Sequence, residues 1–412
     1  MVDGLEVRSD EKVVATLQPQ GSGVACTYSD EVIETRRGGA PLLSCSLPVR
    51  AGAHDATGWC RGLLPEGQHL AVLAASADVS ASDTLGLLAR YGRDIAGAFE
   101  IVAEEPPPRV PSIERYTDES LAAEVAGLAD TPLAVHDDSE LSIAGLQDKL
   151  VVVATPSGWA RPRHGYPSTH IIKLEPADVA GLAAAEAACL TLARAVGLTS
   201  IDALVTEIAG RPALVVSRFD REVSDGGVAH RVHQEDLLQA LGIVPEAGRG
   251  RAKYQSHDTP GPPSWWHLAD LLDRFAEHPR HATVQLLRAV VFTTVIANAD
   301  AHAKNLALLH TTTGLIELAP LYDTVPTALW PRLRSDAALS VADRWPIAET
   351  TTADLMAEAK RWRMQPEAAR RTIESTLLDL DAQVDRIESS AVAELVRGNT
   401  RRLLDGLAGR GG

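Results

Sequence analysis

Three consecutive prolines, Pro106–Pro108, interrupt the 412-residue sequence about a quarter of the way along. Proline has no backbone N–H and a fixed φ, so a run of three cannot lie inside an α-helix or a central β-strand. The segment therefore predicts a rigid connector or a domain boundary between residues 105 and 106.

The hydrophobic pattern then changes from strand-like to helix-like along the chain. Short apolar runs at 149–155 and 170–174 predict buried or half-buried strands. After residue 226 the apolar residues recur at helical spacing, as at 286, 287, 290, 291 and 295. A strand-rich first half followed by a helical second half is typical of an α+β protein, with a second boundary near residue 225.

Composition excludes some functions. The chain has 39 Lys+Arg and 55 Asp+Glu, a net charge of −16, which argues against unaided binding to DNA or membranes. Basic segments at 248–253, 360–363 and 370–374 are more simply explained as solvated helix faces than as a DNA-binding patch. We expect a cytoplasmic protein: the N-terminus is polar, the four cysteines are scattered, and no apolar run reaches the roughly 18 to 20 residues of a membrane helix.

The segment ANADAHAKN, residues 297–305, places Asp300 and Asn305 five positions apart after an apolar helix. In a loop, these two oxygen-bearing side chains can converge on one site. Phosphoryl transfer uses such a pair: a carboxylate that orients or deprotonates the attacking hydroxyl, and an amide oxygen that holds magnesium. The catalytic loop of protein kinases has the same D-x4-N spacing. Taken alone, the segment is more simply a helix end capped by an Asx side chain.

Two other side chains fit the same chemistry. Asp323 ends the apolar run 318–323 and would supply a second oxygen ligand for magnesium, although a turn aspartate is the simpler alternative. Lys173 lies within the apolar strand 170–174, and a lysine is rarely buried without an anionic partner. Either Glu186 or the phosphates of a nucleotide would provide that partner; a lysine that reaches solvent from an edge strand is the alternative.

The segment SIAGLQDK, residues 142–149, combines small residues with a following strand. Its backbone N–H groups are suited to covering phosphates, although it matches neither a Walker A loop nor GxGxxG. Taken alone, the segment is more simply a plain turn before a strand. The order along the chain is the stronger signal. A small-residue turn, a strand lysine, a helix glutamate, a D-x4-N loop and a strand-end aspartate follow one another as in a kinase.

These segments resemble the motifs of HipA-type serine/threonine kinases, the toxins of HipBA toxin–antitoxin systems. The similar stretches are SIAGLQDK, HIIKLEP, LVVSRFDR, HQEDLLQALG, KYQSHDTPG, NADAHAKN and PLYD, together with GLLPEG and GRDIAGA near the N-terminus. The resemblance covers nearly the whole chain. It implies an α+β, bilobal protein-kinase-like fold with an N-terminal β-rich subdomain (1–105), a strand-rich N-lobe (106–225) and an all-helical C-lobe (226–412).

The resemblance also implies roles for individual residues. Asp300 matches the catalytic aspartate, Lys173 matches the lysine that holds the nucleotide phosphates, and Asn305 and Asp323 match the magnesium ligands. Ser142 matches the serine that such kinases phosphorylate on themselves, which shuts off ATP binding. The other implied ATP contacts are Ala144, Gly145, Leu146, Gln147, Asp148 and Lys149 in the phosphate loop, Ser217, Arg218 and Phe219 in the hinge, and His302, Ala303, Lys304 and Tyr322 beside the phosphates.

Departures from the family pattern are mild: Ser217 and Asp148 stand where an acidic residue and a glutamate are common. The implied cofactors are ATP and Mg²⁺. The implied partners are a HipB-like helix-turn-helix antitoxin bound to operator DNA and a protein substrate, an aminoacyl-tRNA synthetase. Two alternatives stay open: an ATP-binding corepressor that acts with the antitoxin, and a kinase of small molecules or lipids.

Overall fold

The computed structural model describes residues 3–36, 40–104, 110–128, 140, 148–224, 227, 229–245, 252–311 and 313–409. The chain forms two compact units, each built from segments that are discontinuous in sequence. The first unit comprises Met1–Pro176, Thr206–Ala252 and Leu309–Leu315, and the second comprises Ala177–Val205, Lys253–Leu308 and Ile316–Gly412. The run Pro106–Pro108 lies outside the described residues, and the boundaries at 105 and 225 stay a prediction.

The N-terminal hundred residues contain a five-stranded antiparallel sheet in the order β4-β3-β2-β1-β5. Its apolar face and the neighbouring helices enclose one core, in which Leu5, Val7, Leu17 and Ile101 are buried. The elements are β1 (Leu5–Ser9), β2 (Lys12–Gln20), β3 (Gly23–Tyr28), α1 (Asp30–Thr35), β4 (His54–Asp55), α2 (Thr57–Gly62), α3 (Gly67–Ser76), α4 (Thr84–Tyr91) and β5 (Glu100–Val102).

A second sheet follows, with six strands in the order β10-β11-β9-β7-β8-β6. The two strands predicted at 149–155 and 170–174 are confirmed as β7 and β9. Successive residues of β7 face opposite sides, so Leu150 and Val152 enter one core and Val151 enters the other, which explains the uninterrupted apolar run. The elements are β6 (Ser112–Arg115), α5 (Asp118–Gly127), β7 (Lys149–Thr155), β8 (Gly158–Arg163), β9 (His170–Leu174), α6 (Leu182–Ala195), β10 (Ala203–Ile208), β11 (Arg211–Ser217) and β12 (Arg221–Val223).

The remainder of the chain is mainly helical, but the prediction of an all-helical region after residue 226 is wrong. Strands of three to six residues occur there, too short to show alternation beside long helical patterns. The elements are β13 (Ala229–Arg231), β14 (Gln234–Asp236), α7 (Leu237–Ala240), α8 (Trp265–Phe275), α9 (Pro279–Val295), β15 (Ala307–His310), β16 (Ile316–Leu318), β17 (Asp336–Val341), β18 (Arg344–Pro346), α10 (Thr352–Arg361), α11 (Pro366–Gln383) and α12 (Ser390–Leu407).

Helix α9 is the central helix of the second unit. The apolar residues that predicted it, among them Leu286, Val290 and Val295, are fully buried, and helices α8, α10, α11 and α12 pack against it. A helix that is apolar on several faces must be covered by other elements on each of those faces. The helix ends at Val295, and Ala297 adopts a positive φ of 51°, which turns the chain into the loop that begins at residue 298. The loop therefore starts from a rigid support.

The first unit contains a buried cluster of four charged side chains. Arg218 donates to the Asp220 carboxylate at 2.8 and 2.9 Å, and Arg221 donates to Asp94 Oδ1 at 2.9 Å. Burial raises the pKa of both aspartates, but the arginine charges outweigh it and hold both pKa values below their ordinary range. The cluster ties residues 94–97 to the end of β11 and the start of β12, because Arg218 donates to the Ile95 carbonyl and Arg221 donates to the Gly97 carbonyl.

We expect the variant Asp94→Ala to lose about 3 to 5 kcal/mol of unfolding free energy, since it leaves buried guanidinium charge uncompensated. Asp343→Ala removes an exposed ion pair with Arg361 and should cost at most about 1 kcal/mol. Urea denaturation at pH 7 measures both losses, and equal small losses would contradict this account.

Because the folded-state pKa of Asp94 is lowered, the contribution of its carboxylate to the unfolding free energy should be present at neutral pH and disappear as the pH falls through that pKa.

Candidate active site

The loop after α9 carries Asp300 and is closed on itself by hydrogen bonds. The Asp300 carbonyl accepts from the His302 backbone N–H at 2.7 Å and from the Asn305 side-chain nitrogen at 3.1 Å. The Asn305 backbone N–H donates to the His302 carbonyl at 2.8 Å, which forms a single 3₁₀ turn over Ala303–Asn305. The five-residue separation of Asp300 and Asn305 is therefore spanned by a tight loop, not by a helix.

The orientation of the Asn305 side chain follows from the group that it faces. A backbone carbonyl can only accept a hydrogen bond, so the amide nitrogen of Asn305 must point at Asp300. The amide oxygen is then at the other end of the group. Amide and carboxylate oxygens are the ligand atoms that magnesium takes from proteins.

A buried amide, that of Asn298, connects this loop to the segment that carries Asp323. The Asn298 oxygen accepts from the Asp300 backbone N–H at 3.0 Å, and its nitrogen donates to the Asp323 carbonyl at 3.2 Å. The side chain is only 4% exposed. The backbones of both predicted acidic residues are thus held by one group. Sequence reasoning assigned Asn298 no role, although it lies two residues before Asp300 in NADAHAKN.

Asp323 adopts a left-handed backbone conformation, with φ of +50°. This region is sparsely populated by residues other than glycine and is often retained where function requires it. The preceding residue, Tyr322, donates its hydroxyl to the Lys304 carbonyl at 2.7 Å. The second unit therefore brings together Asp300, Asn305, Asp323, Tyr322 and Lys304, all predicted from the sequence.

The environment of Asp300 favours its protonated form more than water does. Burial raises the pKa of Asp300, and the nearby Asp323 carboxylate acts in the same direction. Lys253, the Tyr254 hydroxyl and Arg334 oppose the rise without cancelling it. A carboxylate with a raised pKa is a stronger proton acceptor, which suits a general base.

His302 is held in its neutral form. Burial lowers the pKa of its imidazole to about 3, and the charge of Lys253 adds to the effect. At neutral pH the side chain therefore contributes no positive charge to the site. Its ring lies edge-on to that of Tyr254, with centroids 5.6 Å apart.

The oxygens available in this unit fit a magnesium ion that is shared with a phosphate ligand. Asn305 and Asp323 have hard oxygen donors, and a magnesium ion held by them would complete its shell with water and phosphate oxygens. In the part of the chain that the structure describes, no group of three His, Cys, Asp or Glu side chains is arranged to hold a metal. The repulsion between Asp300 and Asp323 that raises the Asp300 pKa is one that a divalent cation would relieve.

In the first unit, Lys173 on β9 lies opposite Lys149 on β7. Directly opposed residues of antiparallel strands project from the same face, so the two lysine side chains leave the sheet side by side. The structure therefore places Lys149, predicted in the phosphate loop, beside the predicted phosphate-binding lysine.

The predicted hinge at 217–219 begins at the last pair of the β11–β9 ladder, where Ser217 faces His170. The Arg218 backbone N–H already donates to the Thr169 carbonyl at 2.9 Å, and its guanidinium is part of the buried charged cluster. The predicted Lys173–Glu186 ion pair stays a prediction. Outside the described residues lie Ser142, Ala144, Gly145, Leu146 and Gln147.

Comparison with known proteins gives consistent matches. The family described as HipA-like C-terminal domain matches residues 141–384, and the HipA N-terminal domain matches residues 5–102. A putative kinase of Sinorhizobium fredii, Y4mE, is 34% identical over 380 residues, which cover 89% of this chain and 88% of that protein. The serine/threonine-protein kinase toxin HipA of Shewanella oneidensis is 28% identical over 291 residues, 69% of this chain and 66% of that toxin.

A solved structure of the Shewanella oneidensis toxin–antitoxin system, with HipA, HipB and its operator DNA, matches with a TM-score of 0.80. The match covers 98% of this chain and 96% of that chain at 22% sequence identity. At this level of identity the match establishes the fold. The predicted α+β, kinase-like fold is confirmed.

We expect Asn298→Ala to lower the unfolding free energy by about 2 to 3 kcal/mol, because two hydrogen bonds are lost and a buried N–H is left unsatisfied. Asn399→Ala is the matched control. It removes one hydrogen bond, from the Asn399 side-chain amide to the Val295 carbonyl, and should cost about 1 kcal/mol. Hydrogen exchange of residues 298–305 should accelerate in the first variant only. Unchanged protection of that segment in Asn298→Ala would contradict the role of this amide.

Proposed function

Because this chain belongs to the HipA family, we propose that it is a serine/threonine protein kinase that transfers the γ-phosphate of ATP to a protein hydroxyl. The observation that carries the proposal is the arrangement in the second unit, where the Asn298 amide holds the backbones of Asp300 and Asp323. The matched relatives support the activity, since one is named a serine/threonine-protein kinase toxin and another a putative kinase.

Asp300 acts as the base. The substrate oxygen attacks the γ-phosphorus, its proton passes to the Asp300 carboxylate, the bond from that phosphorus to the bridging oxygen breaks, and ADP leaves. The raised pKa of Asp300 supports proton acceptance. Magnesium bound by Asn305 and Asp323 would neutralise charge on the phosphates.

Lys173 and Lys149 are the proposed phosphate-binding cations of the first unit. Their opposition across β9 and β7 supports this role, because two lysines on the same face of the sheet can contact one anion. We also propose that the backbone of Ser217 and Phe219 meets the adenine and that residues 144–149 cover the phosphates. Phosphorylation of Ser142 would add about two negative charges and repel ATP, which would inactivate the kinase.

The proposed setting is a toxin–antitoxin module in the cytoplasm. The matched Shewanella oneidensis structure contains HipB and operator DNA, which supports a helix-turn-helix antitoxin as the partner. The net charge of −16 favours DNA contact mainly through that antitoxin. The proposed substrate is an aminoacyl-tRNA synthetase, whose modification would stop translation. Among the described helices, none has the length and apolarity to cross a membrane.

The domain limits 1–105, 106–225 and 226–412 are part of the same proposal. The N-terminal family match, which ends at residue 102, supports a boundary close to residue 105.

Incubation with γ-³²P-ATP and a cell lysate tests the proposal. The wild-type chain should label protein serine or threonine, whereas Asp300→Asn should reduce the rate at least about a hundredfold because the base is lost. Its affinity for Mg-ATP should stay within about threefold of wild type. Asp343→Asn, an exposed aspartate of the same unit, should label normally. Equal labelling by wild type and Asp300→Asn would refute the assignment, and nucleotide binding without any labelling would favour the corepressor alternative.

A further inference from the structure

Tyr254 lies beside Asp300, on a segment that supplies none of the proposed ATP or magnesium contacts. Its hydroxyl donates to Asp300 Oδ1 at 3.2 Å. The backbone on either side of Tyr254 is anchored. The Lys253 carbonyl accepts from the Ala303 N–H at 3.0 Å, and the Gln255 N–H donates to Ala338 of β17 at 2.9 Å. The hydroxyl is therefore presented to Asp300 from a fixed segment.

The ring of Tyr254 is also held in orientation. The Arg334 guanidinium carbon lies 4.5 Å from the ring centroid, a cation–π distance, and the His302 ring is edge-on at 5.6 Å. Arg334 is itself fixed, because its Nε donates to the Asp336 carbonyl at 2.6 Å. These contacts restrict rotation of the ring, and with it the direction from which the hydroxyl reaches the carboxylate.

A carboxylate whose backbone alone is fixed can still rotate about its terminal torsion, which is broad in aspartate. The bonds from Asn298 and Asn305 hold the backbone of Asp300 but not this torsion. The hydrogen bond from Tyr254 is made to Oδ1 of the carboxylate, and it distinguishes Oδ1 from Oδ2.

We infer that Tyr254 is a positioning residue: its hydroxyl occupies Oδ1 of Asp300, so that Oδ2 is the oxygen that accepts the substrate proton. The inference rests on the proposed kinase function. It assigns the segment 253–255 to the catalytic apparatus, through Asp300 and without contact with the nucleotide.

The variant Tyr254→Phe tests this inference, because it deletes the hydroxyl and keeps the ring between Arg334 and His302. With Mg-ATP and a phosphorylatable protein, kcat should fall about 10- to 100-fold, the range for loss of a hydrogen bond to a charged group. KM for ATP should stay within about twofold, since no contact to the nucleotide is removed. Tyr28→Phe is the matched control: it deletes a buried hydroxyl that donates to the Leu47 carbonyl in the first unit, and kcat should not change.

A crystal structure of Tyr254→Phe gives a readout that does not need activity. The Asp300 carboxylate should take more than one orientation in the variant and a single orientation in the wild type. The inference would be overturned if Tyr254→Phe kept the wild-type kcat, or if its kcat fell only in proportion to the fraction of the variant that is unfolded. In either case the kinase function would stand. Absence of transfer by the wild-type chain would instead refute the proposed function, and this inference with it.

Discussion

The side-chain amide of Asn298 is the contact on which the candidate site depends. Its oxygen accepts a hydrogen bond from the Asp300 N–H, and its nitrogen donates one to the Asp323 carbonyl. Because both ends are engaged, neither an aspartate nor a leucine of similar size can replace it without an unsatisfied buried group. The Thr327 hydroxyl supports the same loop, since it accepts from Ala299 at 2.9 Å and donates to the Ala297 carbonyl at 3.1 Å.

This framework explains how two acidic residues are kept close in a partly buried place. Their mutual repulsion and the loss of hydration both raise the pKa of Asp300, so the arrangement is costly on its own. Helix α9, packed on several sides, and the constrained backbone at Asp323 prevent the residues from relaxing apart. In phosphoryl transfer the protein contributes mainly positioning and electrostatic stabilisation, so a rigid frame of this kind suits the reaction.

Local patterns predicted the parts of the molecule whose signals are themselves local. The apolar runs of β7 and β9 agreed with the structure residue for residue, and the D-x4-N spacing placed Asp300 and Asn305 in one loop. The short strands after residue 226 were missed, because three to six residues carry little periodicity.

Long-range contacts were not predictable in this way. Tyr254 precedes Asp300 by 46 positions, and only the folded chain brings the hydroxyl to the carboxylate. The opposition of Lys149 and Lys173 depends on the register of two strands, which the sequence does not specify without the sheet order. Arg218 was predicted in the hinge. Its buried guanidinium forms an ion pair with Asp94, which is far away in sequence and could not be identified as its partner.

The most direct measurement is a crystal structure of this chain with Mg²⁺ and a non-hydrolysable ATP analogue. We expect the metal to take the Asn305 amide oxygen and an Asp323 carboxylate oxygen, with phosphate oxygens among its other ligands, while the Asn305 nitrogen keeps its hydrogen bond to the Asp300 carbonyl. A metal–nucleotide complex bound without Asn305 and Asp323 oxygens would contradict this expectation.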